Sequence, residues 1–333
     1  MESTMQNPPQ RLPIMKGVLQ YNALIMLVVL FVISSLMSGA FLSQGNLFNL
    51  LRQLTPMLLV SIGMLLVINT GGIDLSVGSV AAAGGLLVPM VLPLMPSDGA
   101  LGLLLAVACA LLLGALFGAV NGMLVTLFGL APFIVTLALM TVARGVTFMM
   151  SNGQPVQLPD EMAASDLLNT FGSGGMGALH LPWPVLLGIV LIAVFWFTMT
   201  RTTFGRMVIA TGSNETAVRL AGISTWRYKF LVYVICGALS ALAGIVFTAR
   251  TGVGVPITGV GLELDAIAAC VIGGALLSGG KGTVINTVIG VLVLGLIGNV
   301  MNLLSVPVYP QQIIKGAIII FAVLLQRIGQ RRA

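Results

Sequence analysis

Few of the 333 residues could do covalent chemistry. The chain holds nine Asp and Glu, one histidine and three cysteines. His180, in Leu179-His-Leu-Pro-Trp183, has no carboxylate or second histidine at ligand or catalytic spacing and reads as a solvated loop histidine. Cys109, Cys236 and Cys270 lie inside apolar runs, where a thiol packs as a small hydrophobe. Ser278-Gly-Gly-Lys-Gly-Thr283 imitates a nucleotide-binding loop. A P-loop needs glycine five residues before Gly280, where Ala275 stands, and Ser or Thr directly after the lysine, where Gly282 stands. No nucleophile elbow and no H-E-x-x-H occurs. The reading is no catalysis, no cofactor and no metal.

The polar residues that remain are embedded in apolar sequence. Asn69-Thr-Gly-Gly-Ile-Asp-Leu-Ser-Val-Gly78 breaks one apolar run. Its glycines permit unusual backbone angles, and Asp74 or Ser76 can cap the helix that follows. The segment is either a tight capped turn or irregular backbone facing a water-filled route, which is where membrane proteins tolerate it. Glu263 and Asp265 interrupt a later run in the same manner. Arg144 sits within an apolar stretch, where a charge marks function unless it snorkels to the headgroups.

The second concentration is residues 200–229, with Arg201, Arg206, Arg219, Arg227 and Lys229. Thr211-Gly212 reads as linker, and Ser213 or Asn214 can N-cap a short helix closed by Gly222. Glu215 and Arg219 have the i, i+4 order of a helix ion pair, with Glu215 at the positive end of the dipole. Ala217, Val218, Leu220 and Ala221 leave a small apolar face. Such a helix suits either a partner's groove or the lipid surface.

What must position these residues follows from composition. The chain is 58% hydrophobic and 7% charged, with a mean hydropathy of +1.09. A soluble domain carries about 25% charged residues, so this chain cannot clothe itself for water. Its apolar runs are continuous rather than alternating, which excludes a barrel and predicts an all-α polytopic membrane protein. Ten spans are expected, near 21–42, 54–69, 75–95, 101–127, 132–150, 185–199, 230–249, 264–277, 284–304 and 312–325. The amphipathic Asn46–Gln53 segment is expected in the interface. The run to Ala40 after Arg11 and Lys16 exceeds a signal-peptide core and reads as an uncleaved first span.

With ten spans and both termini inside, eleven of fifteen basic residues fall on the cytoplasmic side: Arg11, Lys16, the five of 200–229, Lys281, Arg327, Arg331 and Arg332. Arg52, Arg144, Arg250 and Lys315 fall outside. Residues 1–17 become a cytoplasmic tail, 151–184 an outer acidic loop and 200–229 an inner loop. The basic excess therefore reflects topology and does not call for nucleic acid.

The halves also repeat. A shift of 189 lays Gly72-Ile-Asp-Leu75 on Gly261-Leu-Glu-Leu264 and Gly84-Gly85 on Gly273-Gly274; a shift of 178 lays Asn121 on Asn299 and Pro132 on Pro310. An offset of five spans makes this an inverted five-plus-five pseudo-repeat, a transporter design. Gly114, Gly118 and Gly122 on span four, and Gly295 and Gly298 on span nine, are expected at close helix contacts.

With these stretches in view, the chain resembles the ribose-type permeases of bacterial ABC sugar importers. The resemblance is carried by Asn46-Leu-Phe-Asn-Leu-Leu51, Gly71-Gly-Ile-Asp-Leu-Ser-Val-Gly78, Ser213-Asn-Glu-Thr-Ala-Val-Arg-Leu-Ala-Gly-Ile223, Leu262-Glu-Leu-Asp-Ala-Ile-Ala-Ala269 and Ser278-Gly-Gly-Lys-Gly282. It implies a single permease domain over 1–333 in the bacterial inner membrane. It further implies ABC ATPase subunits, a second permease (the same chain or another) and a periplasmic sugar-binding protein as partners. Asn214, Glu215, Arg219, Leu220 and Gly222 would form the helix that couples to the ATPase, with the 151–184 loop periplasmic. Asn69, Asp74, Ser76, Asn121, Asn299 and Asn302 are the candidates for the sugar's route. The competing reading is a secondary, ion-coupled transporter of inverted-repeat design, which would need titratable groups near the midplane.

Overall fold

The computed structural model describes residues 22–177, 180–314, 316–318 and 320. Arg11, Lys16 and the 1–17 tail, Lys315, most of the expected tenth span and the C-terminal arginines lie outside the described residues. The helices are α1 (Asn22–Met37), α2 (Gln44–Asn69), α3 (Val77–Val91, continued by a 3-10 turn Leu92–Leu94), α4 (Ala100–Thr126), α5 (Pro132–Ser151), α6 (Ala163–Ser173), α7 (Trp183–Arg201), α8 (Thr203–Ser213), α9 (Glu215–Leu220), α10 (Thr225–Thr251), α11 (Leu262–Ile272) and α12 (Val284–Leu303). Two-residue strands β1 (Val156–Gln157), β2 (Gly175–Met176), β3 (Leu181–Pro182) and β4 (Val253–Gly254) pair as β1 with β4 and β2 with β3. The protein is all-α. Seven helices among the described residues are long and apolar enough to cross a membrane: α2, α3 with its 3-10 turn, α4, α5, α7, α10 and α12.

α2 is the central element. Every residue from Thr55 to Asn69 is buried, so this half of the helix has no lipid face. It packs on α10, and each of these two helices also packs against the following pair of the other half: α10 on α3 and α4, α2 on α11 and α12. The packing follows the sequence repeat, in which α2 matches α10, α3 matches α11 and α4 matches α12. The directions invert as expected. α2 ends beside Gly212 and Gly280, near where α10 begins at Thr225, bonded to Glu215. Near the start of α2, Arg52 donates to the Ser173 carbonyl at the end of α6, whose Gly172 lies against Ala249 near the end of α10.

Two close approaches require glycine. A Cβ on Gly118 would strike the Tyr233 backbone and come within 2.9 Å of Val234 Cα, and one on Gly122 would lie 3.0 Å from the Phe230 carbonyl. Gly114 faces Gly237 and Ala241, so the glycine stripe of α4 is its contact with α10. On α12, Gly295 abuts Leu54, whereas Gly298 faces open space and is not a packing glycine. Cys236 and Cys270 are buried, and Cys109 is exposed.

Several expectations are corrected. Asn46–Gln53 is not a separate interfacial helix: it is the first part of α2, whose N-terminus is capped by Ser43. Residues 200–229 are largely helical. Thr211-Gly212, read as linker, ends α8, with Thr211 buried and Gly212 seated on the Asn69 carbonyl. Spans six and seven extend to Arg201 and back to Thr225. The eighth span is broken, because α11 has eleven residues, about half of what crosses a bilayer. Residues 308–314 are helical, so the count of ten spans is not reached among the described residues.

Candidate functional site

At one end of the bundle α9 packs against α8 and α10. Asn214 caps this six-residue helix, its Oδ1 accepting from the Ala217 N–H at 2.9 Å. Gly222, at φ +79°, closes it: its N–H donates to the Arg219 carbonyl and that of Ile223 to the Val218 carbonyl, the pattern that satisfies the last carbonyls of a helix. Ser213 does not cap; its hydroxyl donates to the Ile209 carbonyl.

Glu215 does not turn to Arg219 as its spacing predicts. Its carboxylate accepts from Lys229 Nζ at 2.5 Å and from Thr225 Oγ1 at 3.1 Å, both on α10. Burial works against the charged carboxyl, but Lys229 and Thr225, helped by the charge of Arg219, outweigh it and hold Glu215 below its ordinary value. The bond thus ties α9 to the start of a membrane-crossing helix, and Arg219 is left exposed. Leu220 is 84% exposed. Beside α9 lies a groove of about 850 Å³ lined by Gly71, Thr126, Pro132, Glu215, Arg219 and Trp226.

Asn69, at the end of α2, belongs to this end of the molecule. Its Nδ2 donates to the Gly282 carbonyl at 3.3 Å, and its own carbonyl accepts from Gly280 at 3.0 Å. The Ser278–Thr283 turn is therefore a brace between the two halves, with Lys281 exposed.

From here the chain folds back inward. Asp74 and Ser76 are about 1% exposed and Asn121 is fully buried. Asp74 Oδ1 accepts from the Ser76 N–H at 2.9 Å, from Ser76 Oγ at 2.6 Å and from Asn121 Nδ2 at 3.3 Å; Asn121 also donates to Ser76 Oγ at 2.9 Å. The Cys236 thiol reaches Asp74 as well. Cys236 lies against Gly63, six residues or roughly 9 Å before the end of α2. Asp74 is thus a buried turn residue just before α3, whose N-cap Ser76 makes no side-chain cap bond, and it is set below the surface of the bundle.

The second half mirrors this turn from the opposite side. After α10 the chain runs back through β4 along α3: Gly254 lies against Leu86, and Gly259 against Gly78. Eight residues separate Gly78 from Leu86 on α3, about 12 Å of helix rise. α11 then begins at depth, with Gly259 and Gly261 at φ +76° and +83° making the reversal. The Glu263 carboxylate lies beside Gly78, so the entries to α3 and α11 meet. Arg144 does not extend to headgroups. Its Nη1 donates to the Pro256 carbonyl at 2.6 Å and the Thr258 carbonyl at 3.0 Å, clamping the re-entrant segment.

Asn299 and Asn302 lie elsewhere. Asn299 exchanges two amide hydrogen bonds with Asn46, at 2.9 and 3.1 Å, and exposed Asn302 accepts from Gln311 at 2.9 Å. Asn46 and Asn69 are 23 residues apart on α2, roughly 35 Å. Of the six route candidates, then, Asp74, Ser76 and Asn121 form one cluster with Asn69 nearby, and Asn299 and Asn302 sit at the far end. Sequence reasoning missed Lys229, Thr225 and the Arg144 clamp. Fourteen residues separate Glu215 from Lys229, and 112 separate Arg144 from Pro256, and no helical periodicity links such positions. Among the described residues no group of three His, Cys, Asp or Glu could hold a metal.

Comparison with known proteins places this geometry. Residues 46–323 match the family described as branched-chain amino acid transport system, permease component. The chain is 44% identical over 308 residues to the ribose import permease protein RbsC of Escherichia coli, covering 92% of this chain and 93% of that one. It is 39% identical to RbsC of Bacillus subtilis, covering 90% of each chain. To the L-arabinose transport system permease protein AraH of Escherichia coli it is 37% identical, covering 94% and 92%. No solved structure matches.

Proposed function

The chain belongs to the transport-system permease-component family, and from that premise we propose that it is the membrane subunit of an ATP-driven importer of a simple sugar. The observation that carries the sugar is the 44% identity to a ribose permease over nine-tenths of both chains. L-arabinose is the second ligand to assay, on the strength of the 37% identity to an arabinose permease. The chain is a membrane permease and not an enzyme. ATP hydrolysis belongs to a separate ABC ATPase, a periplasmic sugar-binding protein delivers the substrate, and a second permease completes the pore.

On this reading the Glu215 end faces the cytoplasm of a bacterium and the chain lies in the inner membrane with both termini inside. Residues 151–184 face the periplasm. α9 is the coupling element, presenting Leu220 and Arg219 to the ATPase. Its capped ends and its bond to Lys229 support this, because a push on α9 is delivered to α10 rather than absorbed by a loose loop. The buried Asp74, Ser76 and Asn121, with Asn69 beside them, would meet sugar only when the two halves part. Asn299 and Asn302 would lie at the outer mouth.

The test is uptake of labelled ribose and L-arabinose by proteoliposomes holding the permease with its ATPase and binding protein. ATP-dependent uptake of either is expected. Uptake driven by an ion gradient without ATP would overturn the proposal in favour of a secondary transporter.

A further inference from the structure

The two re-entrant turns are equivalent in the repeat but not in their surroundings. The first, residues 70–76, is covered by its own chain: Asn121 reaches Asp74, and Thr136 Oγ1 reaches the Ile73 carbonyl at 3.3 Å. The second is bare along one side. Ile257 is 60% exposed, Val260 75% and Leu264 55%. Among the described residues, no hydrogen bond is found on the peptide N–H or carbonyl of Ile257 or Val260. Arg144 holds the carbonyls on either side of Ile257, those of Pro256 and Thr258, and so fixes the segment in place without satisfying it.

Hydrocarbon excludes such a surface. Each unpaired peptide group facing lipid tails would cost several kcal/mol, so irregular backbone at membrane depth is either buried in protein or faces water. The depth is set by α3: the segment runs beside residues 86 to 78 of a membrane-crossing helix. We infer that the bare side of residues 257–264 lines a water-filled passage through the membrane and that its free peptide N–H and carbonyl groups are transient partners for the hydroxyls of the passing sugar. A sugar hydroxyl donates and accepts, and it matches a peptide N–H and a carbonyl offered side by side. Val260 and Leu264 supply an apolar wall between them, which lets a polyol slide without being held. This inference rests on the importer reading for the ligand, but not for the water.

The experiment introduces single cysteines into the full chain after Cys109→Ser removes the exposed thiol, in proteoliposomes with the ATPase and binding protein. Val260→Cys and Ile257→Cys are compared with Leu112→Cys, 69% exposed at the middle of the membrane-crossing α4. A permanently charged methanethiosulfonate is expected to modify positions 257 and 260 at least tenfold faster than position 112. The modified proteins are expected to lose ATP-dependent uptake of ribose, because the passage is plugged. A position 260 or 257 thiol that resists the charged reagent would overturn the inference, pointing to lipid if a lipophilic maleimide still reacts and to burial against the second permease if neither does. So would rapid modification that leaves uptake intact. If unmodified protein takes up no ribose or arabinose with ATP, the importer reading fails, and the reactivity ratio alone still decides whether the passage holds water.

Discussion

Leu220→Ala separates a docking helix from one that rests on lipid. With 84% of its surface bare, Leu220 contributes almost nothing to the fold of the permease itself. Alanine is the better helix former, so stability of the isolated protein should change by less than about 0.5 kcal/mol. Full burial of a leucine in a partner's groove stabilises a complex by about 1.5–3 kcal/mol. Alanine keeps a small part of this, leaving a loss of about 2 kcal/mol. At 1.4 kcal/mol per tenfold change, ATPase affinity should fall roughly thirtyfold. Arg219→Ala, at the rim of the groove, should cost only a few-fold. The assay is binding of the ATPase to the permease in lipid nanodiscs, run beside a thermal unfolding curve. Unchanged affinity for both Leu220→Ala and Leu220→Asp would refute the docking role and favour an interfacial helix. A fall in unfolding temperature as large as the fall in affinity would show that Leu220 serves the fold instead.

The other expectations concern the supports. Gly118→Leu should abolish the folded yield in detergent, since overpacking costs about 1–3 kcal/mol for even an extra methylene and the α10 backbone blocks the new side chain; Gly298→Leu, which meets nothing within 4 Å, should be tolerated. Asp74→Ala strands the Ser76 N–H and the Ser76 hydroxyl, at about 1–3 kcal/mol per buried group, while Asn121 keeps its bond to Ser76 Oγ; a clear drop in thermal stability is expected, and a smaller one for Asp74→Asn, which keeps an acceptor. Because Glu215 titrates below its ordinary value of 4.5, its bond to Lys229 contributes fully above that pH and is lost as pH falls through the lower folded value. Permease–ATPase affinity should therefore not follow Glu215 between pH 5.5 and 8, and a titration step there that Glu215→Gln removes would contradict the assignment.

What the sequence determined about this protein follows from rules that act within a turn or two of chain. A chain with 7% charge has to cross a membrane. The cap at Asn214, the closure at Gly222 and the start of α5 at Pro132 depend on neighbours three or four residues away, so they were legible. The repeat was legible too, because it is a property of order along the chain. Tertiary structure decided what depends on pairs from different helices. Glu215 had a sequence partner in Arg219, yet the packing of α9 on α10 brings Lys229 closer. The asparagines of the two halves looked equivalent, but the inversion carried Asn121 to the Asp74 cluster and Asn299 to Asn46. The eighth apolar run reads as a full span because hydropathy does not register the crossing of two helix entries. Where Gly78 meets Gly259 the two backbones touch and helix resumes only at Leu262, and among the described residues the peptide groups of Ile257 and Val260 have no hydrogen-bond partner.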